Sequence, residues 1–150
     1  MITPCTSIEQ PGWLALRRTL WPEGTDDEHL AEMAEFIGEP QRFAQFIACT
    51  DQGEPIGFIE LALRHDYVNG TESSPVAFLE GIYVAPAHRG RGTARDLVAA
   101  AMAWARQHRC IELASDAPLD NEASQAMHRS LGFEETERVV YFRKRLAAQQ

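Results

Sequence analysis

Apolar runs of strand length alternate with stretches of helical periodicity along the chain, and turn residues punctuate them. Met1 to Cys5 reads as a short first strand, at a sheet edge because Pro4 has no N–H to give to a ladder. Ile8 to Leu20 carries a partial helical stripe of Trp13 or Leu14, Leu16 or Arg17, and Leu20. Pro11 lies near its start, where helices tolerate proline, and Trp21-Pro22-Glu23-Gly24 stops it. Asp26 and Asp27 are N-cap candidates for a helix over Glu28 to Ile37. Its apolar face is Leu30, Met33, Ala34 and Ile37, and Gly38 and Pro40 mark its end. Phe43 to Thr50 and Pro55 to Leu63 read as strands flanking a hairpin turn at Asp51-Gln52-Gly53-Glu54. The polar, turn-rich segment from Arg64 to Pro75 is a loop.

Phe78 to Val84 is apolar and β-prone, interrupted by Glu80-Gly81, a pair that suggests a bulge. Pro86 ends the strand, and from Thr93 to Arg106 the residues Ala94, Leu97, Val98, Ala101, Met102 and Ala105 recur at helical spacing. Cys110 to Ser115 is a short strand and Asp116 to Asp120 a loop. Asn121 caps a helix that runs to Leu131 and stops at Gly132. Phe133 to Thr136 and Val139 to Arg145 complete the pattern as two strands, and the tail from Leu146 to Gln150 frays. The order is β-α-α-β-β-β-α-β-α-β-β, a mixed α/β sheet too irregular for a doubly wound fold.

Length, charge and cysteine usage narrow the chemistry. The 150 residues form one domain, with no repeat or linker to divide them. A net charge of -8 argues against nucleic acid or an anionic membrane as partner and suits a cationic substrate. Cys5, Cys49 and Cys110 make no C-x-x-C pair, so no metal or redox site is expected. They read as buried thiols in a reducing compartment. No basic segment followed by an apolar run opens the chain, and the longest apolar run, Leu97 to Ala105, is far too short to span a membrane. A cytoplasmic location is the expectation.

The chemistry concentrates after the strand that ends at Val84. Arg89-Gly90-Arg91-Gly92 opens a helix, and such a loop aims free backbone N–H groups and the positive end of the helix dipole at one point, an anion site. Arg89, Arg91 and Arg95 add side-chain charge. A plain strand-to-helix turn would use glycine too. Neither Gly-Lys-Ser/Thr nor the G-x-G-x-x-G spacing is present, which excludes a P-loop and a dinucleotide fingerprint. The spacing Arg89-x-x-Gly92-x-Ala94 between strand and helix resembles the acetyl-CoA loop of the GNAT superfamily of N-acetyltransferases. Asn121-x-x-Ser124, His128 and Leu131-Gly132-Phe133 resemble that superfamily's later helix.

Longer strings sharpen the resemblance. Trp21-Pro22, Arg64 to Gly70, Ser73 to Gly81, Ser115-Asp116 and Gly132 to Arg145 are together similar to the aminoglycoside 6'-N-acetyltransferases, over nearly the whole chain from about Trp13 to Arg145. The resemblance implies a GNAT fold with splayed central strands, a homodimer, and acetyl transfer from acetyl-CoA to the 6'-amine of an aminoglycoside. It assigns acetyl-CoA to Ile82, Tyr83, Val84, Arg89, Gly90, Arg91, Gly92, Thr93, Ala94, Arg95 and Asn121. It assigns the aminoglycoside to Trp21, Tyr67, Glu80, Asp116 and Glu137. Asp116 or Glu80 is then the proton acceptor, and His128 stands where the superfamily commonly has a tyrosine that protonates the leaving thiolate. Gly24 stands where related enzymes carry a histidine near the substrate, and so leaves that contact unsupplied.

The side-chain types suit a rigid polycation independently of the name. Carboxylates neutralise ammonium groups and aromatic faces cover sugar rings and cations. The bland roles for the same residues are a solvent-facing strand position for Glu80, a turn cap for Asp116, an exposed ion pair of Glu137 with Arg138 or Arg143, and apolar plugs for Tyr67 and Trp21. The alternatives for the whole chain are acetylation of another polyamine or of a protein amine, and a non-catalytic acyl-CoA-binding regulator.

Overall fold

A computed structural model of the chain describes residues 1–148. Its sheet has the order β1(Ile2–Pro4), β2(Phe43–Cys49), β3(Pro55–Arg64), β4(Val76–Val84), β5(Leu113–Ala114). Every neighbouring pair is antiparallel except β4 and β5, which run parallel, joined by a crossover through α3(Thr93–Gln107). A parallel neighbour needs a long connection, and the helix supplies it. The mixed α/β class expected from the pattern is present.

Two cores lie on opposite faces of the sheet, as the period of two along a strand dictates. On one face α1(Trp13–Leu20) and α2(Asp26–Gly38) cover Ile47 of β2 and Phe58 of β3. On the other, α3 lays Leu97, Val98, Ala101, Trp104 and Ala105 over Ala48, Ile59 and Leu61. β4 would break this rule without an extra residue. Its register on β3 shifts between Glu60 and Leu61, so that Gly81 faces Glu60 and Leu79 faces Leu61, with Glu80 left over. This is the bulge expected at Glu80-Gly81. It flips the parity of the strand: Ala77 and Leu79 before it, and Ile82 and Val84 after it, all pack on the α3 face.

The α1–α2 face buries charge. Arg17 on α1 and Glu60 on β3 are 1% and 3% exposed and form a two-oxygen ion pair, and the Trp13 indole N–H donates to Glu60 Oε2 at 2.9 Å. Arg17 also donates from Nε to His29 Nδ1 at 3.2 Å and from a terminal nitrogen to Glu32 at 2.9 Å. Burial pushes the Glu60 carboxyl up, while the Arg17 charge and hydrogen bonds, and the bond from Trp13, pull it back. Nδ1 of His29 accepts from an arginine, so Nε2 carries the proton and donates to the Trp21 carbonyl at 3.1 Å. Trp21 is thereby held at its backbone, and its ring lies under the Arg17 guanidinium at 4.8 Å and edge-on to Phe58.

Several boundaries differ from the expectation. The first helix begins at Trp13 rather than Ile8, because Gly12 takes a left-handed φ of 85°. A side chain at Gly12 would also run into Pro55. The second helix is capped by Thr25, not by Asp26 or Asp27: Thr25 Oγ1 accepts from the Glu28 N–H at 3.2 Å, and the Glu28 carboxylate faces the Thr25 N–H. β5 spans only Leu113–Ala114 instead of Cys110 to Ser115. The helix α4(Glu122–Ser130) forms as expected behind Asn121, whose side-chain oxygen accepts from the Ser124 N–H.

The two final strands do not form: after α4 no strand follows among the described residues. Tyr141 and Phe142 in the expected Val139 to Arg145 strand are 80% and 92% exposed. A strand needs a neighbour for its N–H and C=O groups, and this segment finds none among the described residues. Of the tail expected to fray, Leu146 to Gln150, residues 149 and 150 lie outside the described residues.

The cysteines are free, with Cys5 and Cys110 buried and Cys49 half-buried. Burial, with Glu60 and Cys49 adding to it, pushes the Cys5 thiol up to about 12, and burial also raises Cys110. Thiolates are the reactive form. Native protein should therefore leave Cys5 and Cys110 unmodified by an aromatic disulfide reagent at pH 8, with all three thiols reacting once it is unfolded; rapid reaction of Cys5 in the native state would contradict the packing described. Arg17→Ala strands a buried carboxylate and should cost about 3–5 kcal/mol in denaturant unfolding. A loss below about 1 kcal/mol would mean that the pair is not buried as described.

Candidate active site

The sheet forks. β5 pairs with β4 only at Ala77–Leu113 and Phe78–Ala114, and β4 continues to Val84 with no strand on that edge. Beyond the fork β4 keeps β3 on its other side, through Ile59–Ile82, Phe58–Tyr83 and Gly57–Val84. The backbone groups of Leu79 to Val84 that face the missing strand are available to a ligand. Ser115 and Asp116 are the first residues past the fork on the β5 side.

A groove of about 950 Å³ opens at the fork, lined among others by Tyr67, Phe78, Ser115, Asp116, His128 and Glu137. Four of the site residues singled out in the sequence, Tyr67, Asp116, His128 and Glu137, therefore meet in one cavity. Asp116 and Glu137 are exposed and make no hydrogen bond or ion pair among the described residues. Tyr67 is 75% exposed. The exposed pair considered for Glu137 is not made, since Arg138 binds Glu135 instead. Asp116 is not a turn cap either; Gln125 serves the Pro118 and Leu119 carbonyls.

Glu80 lies apart from that group. It lines a neighbouring cavity of about 510 Å³, which shares Arg64 and Tyr67 with the larger groove. The Arg64 guanidinium binds Glu80 at 2.7 Å and stacks 3.7 Å over the Phe78 ring. Arg64 is thus a resident counter-ion of Glu80 that the sequence reading passed over as the first residue of a loop. It is in fact the last residue of β3 and pairs with Val76. Trp21 lines neither cavity. Its indole covers Gly81 so closely that a Cβ there would overlap the ring. Gly24, where the resemblance leaves a histidine missing, abuts His29, and a Cβ there would stand 3.0 Å from Nε2.

The loop from His65 to Ser74 forms one wall. Val68 is buried against Val76 and Phe78, and the Glu112 carboxylate takes hydrogen bonds from the Ser73 hydroxyl and the Glu72 N–H. The Ser73 hydroxyl first, and then the Glu72 N–H, hold Glu112 below the usual carboxylate range. A depressed carboxylate stabilises above its unfolded value of about 4.3, and the contribution fades as pH falls through its lower folded value. Glu112 carried no marker in the sequence beyond its place within the expected strand from Cys110 to Ser115.

The glycine loop has the geometry of a candidate anion site. Gly90 and Gly92 have φ of 78° and 85°, and open space surrounds both. No side chain caps α3, and the first N–H to bond back is that of Asp96, to the Gly92 carbonyl, which leaves Thr93, Ala94 and Arg95 aimed outward. Arg89 is used differently from the expectation. Its Nε donates to the Val84 carbonyl at 2.8 Å and its guanidinium lies 5.6 Å from the Tyr83 ring, so it braces the loop against β4. Asn121 is spent through its side-chain oxygen as the cap of α4.

His128 is held on both nitrogens. Nδ1 faces the Ser124 carbonyl at 2.7 Å, and Nε2 faces Ser115 Oγ at 2.7 Å; Phe133 packs edge-on against the ring. No group of three His, Cys, Asp or Glu among the described residues could hold a metal ion. No helix among them is long and apolar enough to cross a membrane.

A forked sheet with an uncapped glycine loop at the end of its longer arm is the frame of an acyl-CoA-dependent transferase, and the chain belongs to the acetyltransferase (GNAT) family, whose model matches residues 12–133. Relatives within that family are specific. The chain is 50% identical over 145 residues to aminoglycoside N(6')-acetyltransferase type 1 of Acinetobacter baumannii, covering 97% of this chain and 98% of that one. It is 51% identical over 146 residues to the protein of the same name from Serratia marcescens, covering 97% and 99%. The crystal structure of aminoglycoside 6'-N-acetyltransferase AAC(6')-Ih from Acinetobacter baumannii superposes with a TM-score of 0.91 at 50% identity, covering 98% and 99%. The structure of AAC(6')-Iy in complex with the bisubstrate analogue CoA-S-monomethyl-acetylneamine superposes with a TM-score of 0.90 at 47% identity, covering 97% and 98%. The resemblance stated from the sequence strings is borne out.

The packing of Trp21 on Gly81 gives a sharp test. Gly81→Ala should push the indole off the bulge and leave the rest of the sheet in place. Its tryptophan emission should shift to the red and aminoglycoside KM should rise about tenfold, with acetyl-CoA KM changed less than twofold. Equal losses for both substrates would show instead that the bulge itself had collapsed.

Proposed function

We propose that the chain is an aminoglycoside 6'-N-acetyltransferase that confers resistance. Acetyl passes from acetyl-CoA to the 6'-amine by direct attack in a ternary complex. The observation that carries this is the groove at the fork, with unpaired carboxylates at Asp116 and Glu137 and an aromatic wall at Tyr67, in a chain matched from end to end by proteins of that name.

The donor lies along β4. The N–H groups of Thr93 to Arg95, with Gly90 and Gly92 clearing the approach, hold the diphosphate, and Arg91 and Arg95 add charge. The free edge of Ile82, Tyr83 and Val84 runs beside the pantetheine arm, and one of its N–H groups meets the thioester oxygen as negative charge grows there. Arg89 keeps the loop in register, and Asn121 fixes the start of the helix beside the arm.

The acceptor lies across the fork. Asp116 and Glu137 hold its ammonium groups, and Tyr67 covers a sugar face. Glu80 joins them when a substrate cation displaces Arg64, and Trp21 backs the bulge from behind. The attacking amine must be neutral, so Asp116 or Glu80, directly or through water, takes the ammonium proton first. Holding both substrates in place supplies much of the acceleration.

The proposal includes a homodimer and a cytoplasmic location. The run Val139-Val140-Tyr141-Phe142 is strand-prone, exposed and without a strand partner among the described residues, which suits pairing with a second copy. Three free thiols suit a reducing compartment.

Two experiments test the reading. Purified enzyme should release CoA with tobramycin and kanamycin, and Asp116→Asn should lower kcat/KM by about 10²-fold or more. Turnover of spermidine with none of either antibiotic would overturn it. Light scattering should give a dimer that Phe142→Glu shifts toward monomer; a wild-type monomer at micromolar concentration would remove the second copy from the account.

A further inference from the structure

The geometry points to Ser115 as a catalytic residue: its hydroxyl carries protons between the reacting atoms and the His128 imidazole. This rests on the acetyltransferase reading above and adds to it the path of the proton released when the amine attacks.

The hydrogen bonds fix the state of the pair. Nδ1 of His128 faces a backbone carbonyl at 2.7 Å, which can only accept, so the ring proton sits on Nδ1. The neutral ring then has a bare Nε2, and the group 2.7 Å away is the Ser115 hydroxyl, which must donate. Phe133 packs edge-on against the ring, and the Ser124 carbonyl anchors Nδ1. Neither His128 nitrogen is therefore positioned to protonate a thiolate directly, as an exposed phenol would be. Ser115 intervenes, and it stands one residue past the last β4–β5 pair, at the fork where the free edge of β4 begins.

The proton balance closes with no added reagent. As the neutral amine attacks, the N–C bond forms and the C–S bond breaks. The proton that the nitrogen sheds goes to Ser115 Oγ while the Ser115 hydroxyl proton passes to His128 Nε2. The transfers then reverse: Nε2–H returns its proton to Ser115 Oγ, and the hydroxyl proton goes to the thiolate sulfur. The products are the amide and the free thiol of CoA. Asp116 next door retains its role on the ammonium, before attack.

The test is single-turnover acetylation of tobramycin by enzyme preloaded with acetyl-CoA. Ser115→Ala and His128→Gln should each slow the step by about 10²-fold. The double variant should be no slower than the slower single one, because both belong to one path. Binding of acetyl-CoA and of tobramycin should stay within about threefold of wild type, which a merely structural role would not allow. In mixtures of light and heavy water the wild-type rate should fall along a curve, the mark of two protons in flight, and Ser115→Ala should remove the curvature. Ser115→Ala deletes only a hydroxyl and decides alone if His128→Gln folds poorly. A Ser115→Ala rate within threefold of wild type, or losses that multiply in the double variant, overturns the relay. Failure of the acceptor reading is separate, since it shows as a wild-type enzyme inactive on tobramycin; the pair is then read on whichever primary amine the wild type acetylates.

Discussion

Everything at the fork leans on a carboxylate buried opposite a bulge. Glu60 faces Gly81 across the β3–β4 ladder, and it is buried only because Arg17 and Trp13 reach it from α1. An unpaired charge at that depth would be costly, so α1 has little freedom to slide along the sheet. The same arginine carries the Trp21 ring on its guanidinium face and, through His29, the Trp21 backbone. The indole in turn seals Gly81, where only a missing Cβ lets it close. One ion pair thereby connects the helical layer to the residue at which β4 changes parity.

That parity change has a functional consequence. A regular β4 would turn Ile82 and Val84 away from α3 and bring their neighbours inward. With Glu80 extruded, the strand keeps its apolar contacts on the α3 face and presents a carboxylate at the bulge. The proposed donor track and a proposed acceptor contact then sit on one strand a few residues apart. The glycine loop and the uncapped start of α3 continue the track, while β5 stops short and yields its place to Ser115, Asp116 and the groove.

Much of this was readable before any coordinates, and the exceptions share a cause. The bulge showed as Glu-Gly within an apolar strand, the anion loop as glycines ahead of a helical stripe, and the carboxylate-rich groove through strings shared with a family. Those are local signals. Arg17 and Glu60 were visible only as a charge within a stripe and a charge within an apolar run; their meeting is a contact of distant segments, which periodicity does not encode. Arg64 reads as loop in the sequence because β3 runs one residue further than its apolar residues do. The helix start at Trp13 depends on the left-handed conformation of Gly12, which the apolar spacing and the tolerance of Pro11 do not reveal. The strands expected after Gly132 have the right composition but no neighbour among the described residues, and strand structure depends on the neighbour as much as on the residues.

The most direct test of the account is a crystal structure with CoA joined through its sulfur to an aminoglycoside 6'-amine. The account predicts the linker at the fork, beside the free edge of β4 at Ile82 to Val84, with Ser115 Oγ in hydrogen-bond reach of the joined atoms and Asp116 on the sugar amines. A linker on the α1–α2 side of the sheet, or Ser115 turned away from it, would contradict the account.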